Sequence, residues 1–309
     1  MKNLTQNLIA VSAALFLITS PKLHACACSF CGGYDVGTSS NFPSGQGGMV
    51  WTEYDFVSQS QNWSGTRSSL PDNNEHKLIQ STWLSEGFQY FFNNSWGISA
   101  VVPYANRILT AQEDGDAAPM TTKWWGLGDI RVNGYYTGFS PDMSTGVNLG
   151  IKVPTGDWHK SGIERDNQIG TGSTDILAGL YHRHRITSDE KWVWFAQAQL
   201  DAPVITQAGY RPGLQVSATA GIYYTGIQFG KLKIRPLAQA LFTNRASDSG
   251  PESDPHNTGY QQVSLSPGLE FDFHPVRLYS DVELPVISNV VGNQLIAPCT
   301  VRVIMSYLF

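Results

Sequence analysis

From residue 47 to the end of the chain, apolar and polar residues alternate one for one, in runs far longer than the usual strand of a soluble sheet. In the last run Leu295, Ala297, Cys299, Val301, Val303, Met305, Tyr307 and Phe309 share one face, and Thr300, Arg302 and Ser306 the other. "VRLYSDVELPV" sets Val276, Leu278, Val282, Leu284 and Val286 against Arg277, Asp281 and Glu283. "KLKIRPLAQALF" sets Leu232, Ile234, Ala238, Ala240 and Phe242 against Lys231, Lys233, Arg235 and Gln239. A period of two belongs to a strand. Runs of roughly 10–15 residues suit tilted strands that cross the hydrocarbon core of a membrane.

The pattern predicts twelve such strands, near 48–58, 77–92, 95–106, 124–138, 143–155, 173–187, 191–204, 210–225, 231–245, 258–274, 276–287 and 293–309. Their connections alternate in kind. "SQSQNWSGTRSSLPDNNE", "TAQEDGDAAPMTTK", "TGDWHKSGIERDNQIGTG" and "ASDSGPESDPHN" are long and polar, whereas "NNS", "SPD", "TSDE" and "HP" are tight. Long loops at one end and short turns at the other are the layout of outer-membrane barrels. Prolines recur at 103, 154, 203 and 285, each where a strand nears its long-loop end. Proline cannot donate to a ladder, so these positions predict strand ends or bulges.

A soluble barrel would turn its polar face outward. Here the polar faces carry charges of both signs, and the apolar faces carry Trp96, Tyr104, Trp124, Tyr136, Trp192, Trp194 and Tyr224 near their ends, as in an aromatic girdle. The fold class is therefore all-β: a transmembrane antiparallel β-barrel of about twelve strands in meander (up-and-down) order. Residues 47–309 form the barrel. A net charge of −5 with 15 % charged residues excludes the basic surface that a nucleic-acid partner requires.

Ahead of the barrel, Lys2, the apolar run "LIAVSAALFLIT" (8–19) and small residues at 25–27 describe a signal peptide over 1–25, cut between 25 and 27. Residues 26–46 then form a periplasmic segment carrying three of the four cysteines, in "HACACSFCGG" (24–33). Cys28 and Cys31 make a CxxC whose first expected fate in an oxidising compartment is a disulfide, with thiolate metal binding, joined by Cys26, second. "LHAC" also resembles a lipobox ending at Cys26. Gly32 follows Cys31 where a covalent haem motif would place His.

"GLGDIRVNGYY" (126–136), "GIKVPTGD" (150–157) and "IGTGSTDILAGL" (169–180) resemble the sequence blocks of the transporter-like proteins linked to the meta-cleavage pathway of phenol degradation. The resemblance covers residues 88–225 well and the remainder by hairpin pattern. It implies an outer-membrane barrel that passes small hydrophobic or aromatic compounds. The terminal Phe309, with apolar residues alternating behind it, resembles the C-terminal signal read by the outer-membrane assembly machinery.

With the apolar faces against lipid, the lumen would be lined by Glu53, Asp55, Asp129, Arg131, Lys152, Asp175, Arg183, Arg185, Asp201, Arg211, Lys231, Lys233, Arg235, Glu270, Asp272, Arg277, Asp281, Glu283 and Arg302. Lys231, Lys233 and Arg235 should lie beside Glu270 and Asp272, and Arg302 beside Glu53 and Asp55 where the barrel closes. Such charges set the selectivity of a pore or form ion pairs that fill it. His182 and His184 share a face but have no serine or paired carboxylate beside them, so no enzyme is expected. "GTGSTD" opens a strand and reads as a turn, not a phosphate cradle, and no cofactor is expected. The sequence thus describes a passive channel whose partners are lipid and small solutes. The alternative is a non-conducting barrel that docks a periplasmic redox or metal partner through its cysteines.

Overall fold

A computed structural model of the chain describes residues 45–71, 76–112 and 118–309. The expected signal peptide, the lipobox-like stretch and Cys26, Cys28 and Cys31 lie outside them. The described residues form sixteen strands: β1 (Gly47–Gln59), β2 (Gln61–Gly65), β3 (Arg67–Ser68), β4 (Leu78–Phe91), β5 (Trp96–Ala111), β6 (Met120–Leu127), β7 (Ile130–Tyr136), β8 (Thr145–Val153), β9 (Ser173–Arg185), β10 (Trp192–Thr206), β11 (Gln215–Tyr224), β12 (Ile227–Phe229), β13 (Leu232–Arg245), β14 (Tyr260–Phe273), β15 (Val276–Ile296) and β16 (Thr300–Leu308).

With β6 and β7 forming one broken stave, and β2, β3 and β12 as short extensions, these make a closed barrel of twelve antiparallel staves in meander order. The seam pairs β1 with β16, from Met49 opposite Leu308 to Val57 opposite Thr300. Phe309 locks it: its backbone exchanges hydrogen bonds with Gly48 at 2.7 and 2.9 Å, and its ring lies where a Gly48 side chain would stand.

The alternation sorts side chains as the pattern requires. Val50, Tyr54, Phe56, Leu84, Phe88, Ile98, Val132, Leu149, Ile176, Leu180, Ile222, Phe242, Leu278 and Met305 are exposed on the outer wall, while their sequence neighbours point inward and are buried or half-buried. An apolar exterior over a largely polar interior is stable only against lipid. Trp96 packs on Tyr136 and Trp192 on Tyr224, each pair 4.8 Å apart, on the outer wall beside the short turns.

All four prolines stand where a ladder is interrupted. Pro154 follows the end of β8. Pro203 and Pro285 sit beside register shifts in the β9–β10 and β14–β15 ladders. Pro103 faces the break between β6 and β7, where three steps along β5, from Val101 to Tyr104, match four from Arg131 back to Leu127.

That extra residue is a bulge, and a bulge reverses the facing of the residues on one side of it relative to those on the other. It corrects the expected girdle: Trp124 points inward and is buried, and Trp125 is the exposed one, at 68 %. A second correction concerns the end of the chain. The penultimate strand does not stop near 287, and Leu295 and Ala297 do not face lipid. Beyond Gly292, whose φ is +67°, residues 293–296 pair with β2, and Leu295 and Ala297 are covered. Cys299 is half-buried in the turn before β16, not within a strand.

Candidate functional site

The barrel interior is layered, and the strand register shows how. In the half nearer the short turns is an apolar collar: Met49 and Trp51 (β1), Val101 (β5), Tyr181 (β9), Val193 and Phe195 (β10), Tyr223 (β11), Leu237 (β13), Tyr279 (β15) and Ile304 (β16), all buried and joined in one packed cluster. In ring order these strands run from β9 through the seam to β5. On the remaining arc, Tyr135 packs on Phe91 at 5.8 Å, and the Tyr181 hydroxyl donates to the Met143 carbonyl at 2.9 Å.

The rings lie along the wall because glycine leaves room for them. Trp51 stands opposite Gly87, Phe91 opposite Gly97, Tyr181 opposite Gly146 and Phe195 opposite Gly221, and in each pair a Cβ on the glycine would collide with the ring. The sequence reading missed this collar. Its members interrupt the polar face one at a time, and only the register shows them touching.

Toward the long loops lies a polar layer. Arg302 is buried at the seam, with Nε 3.0 Å from Asp55 and 3.4 Å from Glu53, and Nη1 3.9 Å from Asp281. Gln239 donates to Asp281 at 3.3 Å. On the opposite wall, Lys152 pairs with Asp175 at 2.5 Å and Arg131 with Asp201 at 2.9 Å. Each of these buried charges has an opposite partner, as the cost of desolvation demands.

Above that layer, residues 154–172 turn into the mouth of the barrel. The Asp129 carboxylate, at the bulge, accepts from the Gly156 N–H (3.0 Å), the Thr171 N–H (2.8 Å) and the Thr171 hydroxyl (2.6 Å). A chain of hydroxyls continues from Thr171 through Ser173 to Asp175. Arg107, another residue missed because its strand was expected to stop at 106, donates to the carbonyls of Asn167 at 2.7 Å and Gln168 at 3.1 Å. Ile169 completes a buried cluster with Trp83, Ala105 and Trp124.

This loop floors an outer cavity of about 820 Å³. The Arg165 guanidinium sits 4.8 Å from the Trp158 ring and 4.6 Å from the Tyr210 ring, close enough for cation–π attraction. Burial, with repulsion from Glu164 and Asp248, pushes the Asp166 carboxyl up to about 6.

Below the collar lies a second cavity of about 750 Å³, lined by Arg183, Arg185, Arg235 and Arg277 with Asp142, Glu190, Val193 and Tyr223. Arg235 pairs with Glu270 and, at 2.7 Å, with Asp272, and Arg277 lies 3.4 Å from Asp272. Two expected lumen cations are absent from this group. Lys231 is in the turn after β12, and Lys233 is exposed at the rim beside it. Arg185 is exposed and paired with Glu190, and Arg211 is exposed on a loop, donating to the Pro203 carbonyl at 2.8 Å. Glu283 is half-buried opposite Thr300. His182 faces outward and shares a 2.8 Å hydrogen bond with Thr145. Among the described residues, no group of three or more His, Cys, Asp or Glu is placed to hold a metal.

No family model and no curated relative matches the chain. Solved structures do. An outer-membrane channel from Pseudomonas putida F1 superimposes with a TM-score of 0.66 at 10 % identity, over 88 % of this chain and 99 % of the channel. The β domain of the Bordetella autotransporter BrkA gives 0.53 at 13 %, over 85 % and 100 %. At such identities the likeness shows the fold: this is the architecture of an outer-membrane β-barrel.

Proposed function

We propose that the protein is an outer-membrane channel for the passive passage of small hydrophobic or aromatic solutes, with no catalytic role. One observation supports this reading above the rest: the interior collar, five of whose ten members are aromatic, with Trp51, Tyr181 and Phe195 laid against the wall over facing glycines. These rings are packed and buried, and a solute ring that parts them meets partners for offset or edge-on packing that discriminate little among apolar solutes. The fold of the Pseudomonas channel and the sequence resemblance described above point the same way. On this reading the apolar wall meets lipid, Phe309 serves the assembly machinery, and the interior charges tune which solutes enter.

The inward loop favours one competitor, a closed barrel that docks a periplasmic partner through its N-terminal cysteines. Conductance of the refolded full chain in a planar bilayer separates the two. The channel reading expects steps of current that phenol or toluene blocks. A bilayer that stays silent with demonstrably folded barrel would exclude an open pore and favour docking.

A further inference from the structure

The inner cavity combines two features that the outer one lacks. Four guanidinium groups line it against two carboxylates, whereas in the outer cavity three cations face four carboxylates. It also opens onto the collar, because Tyr223 and Val193 belong to both. Glu270 and Asp272, which hold Arg235, are buried behind it and do not line it. Their role is to fix the guanidinium in place. Arg183 is set at the wall by the Asp142 carbonyl at 3.2 Å.

We propose that this cavity is a binding site for the carboxylate of a small aromatic acid. The carboxylate meets the planar forks of Arg183 and Arg277, a geometry that guanidinium matches with paired hydrogen bonds. The ring lies against Tyr223 and Val193 at the edge of the collar. The site deepens the channel reading by naming the solute class: an aromatic ring slides along the collar, and its charged group is held at the short-turn end. A phenyl ring with one carboxylate is far smaller than the cavity, so the acid enters without displacing the Arg235 ion pairs.

The test is calorimetric titration of the refolded full chain in detergent with benzoate, benzyl alcohol, acetate and inorganic phosphate, alongside conductance of the same preparation. Benzoate should bind saturably and more tightly than the other three. Arg183→Gln should weaken it about tenfold, as expected for one lost charge-assisted hydrogen bond. Arg185→Gln, at the exposed rim, gives a smaller loss and serves if the first variant does not fold. Equal binding of benzyl alcohol or phosphate, or benzoate binding untouched in both variants, would overturn the site. Benzoate binding by a barrel that carries no current would keep the site and remove the channel. Current without benzoate binding would do the reverse.

Discussion

Arg302 shows what a single residue does in this barrel. Its guanidinium is 2 % exposed and stands among Glu53 and Asp55 of β1 and Asp281 of β15. Removing it leaves buried carboxylates without their cation, a change that costs about 3–5 kcal/mol in comparable settings. Arg302→Met should therefore lower the urea midpoint of the lipid-embedded barrel far more than Lys233→Met at the exposed rim. Equal midpoints would show that the seam does not depend on this pairing. Asp166 predicts a dependence on pH. Its carboxyl, raised to about 6 in the fold, holds a proton that the unfolded chain gives up near pH 4. The stability it contributes is complete below that lower value and is lost as pH climbs through 6. Asp166→Asn should then unfold at higher urea than the parent at pH 7.5 and at the same urea at pH 3.5. A gain that persists at the acid end would mean that burial of Asp166 is not the cause.

At the scale of elements, the loop over 154–172 and the collar each have a point on which they turn. Asp129 holds two backbone N–H groups and one hydroxyl of the loop in a single carboxylate. Asp129→Ala leaves all three without it, and the loop should rise out of the mouth. Single-channel conductance should increase, with an unchanged current arguing that the loop does not limit the pore. The collar depends on glycines facing rings. A Cβ at Gly221 would stand 2.6 Å from the Phe195 ring and 2.8 Å from Gln239 Cβ. Gly221→Val should push Phe195 off the wall into the lumen, reduce current and weaken block by phenol. Overpacking of this kind also costs about 1–3 kcal/mol, so folding is checked by gel mobility before conductance is read. Gly134, exposed on the outer face of β7 with only the Leu149 carbonyl oxygen near a Cβ, at 3.8 Å, is the control position.

The whole molecule is polar in the electrical sense, with an excess of guanidinium at the inner mouth and of carboxylate at the outer one. Opposite fixed charge at two mouths lets counter-ions gather differently for each direction of the field. Current through the barrel should rectify at 0.1 M salt and become symmetric near 1 M, where the screening length falls to about 3 Å. A current–voltage curve equally curved at both salts would place the asymmetry in moving loops instead of fixed charge. The same arrangement gives the proposed aromatic acid a different environment at each end of its path.

The sequence by itself determined the number of staves, their meander order, the lipid-facing parity and the end that carries the long loops. These follow from a period of two and from the positions of turn residues, which are local properties. It also paired Arg302 with Glu53 and Asp55, since a twelve-stave meander must bring the last strand to the first. Tertiary structure decided the rest. The bulge at Gly128 and Asp129 exchanged the faces of Trp124 and Trp125, and one extra residue in a ladder leaves no mark in the alternation itself. The inward course of 154–172 depends on Asp129 and Arg107 reaching backbone groups tens of residues away. The collar depends on which glycine faces which ring, as Gly87 does Trp51 and Gly221 does Phe195. Register between strands sets those meetings, and register belongs to the closed barrel, not to any one strand.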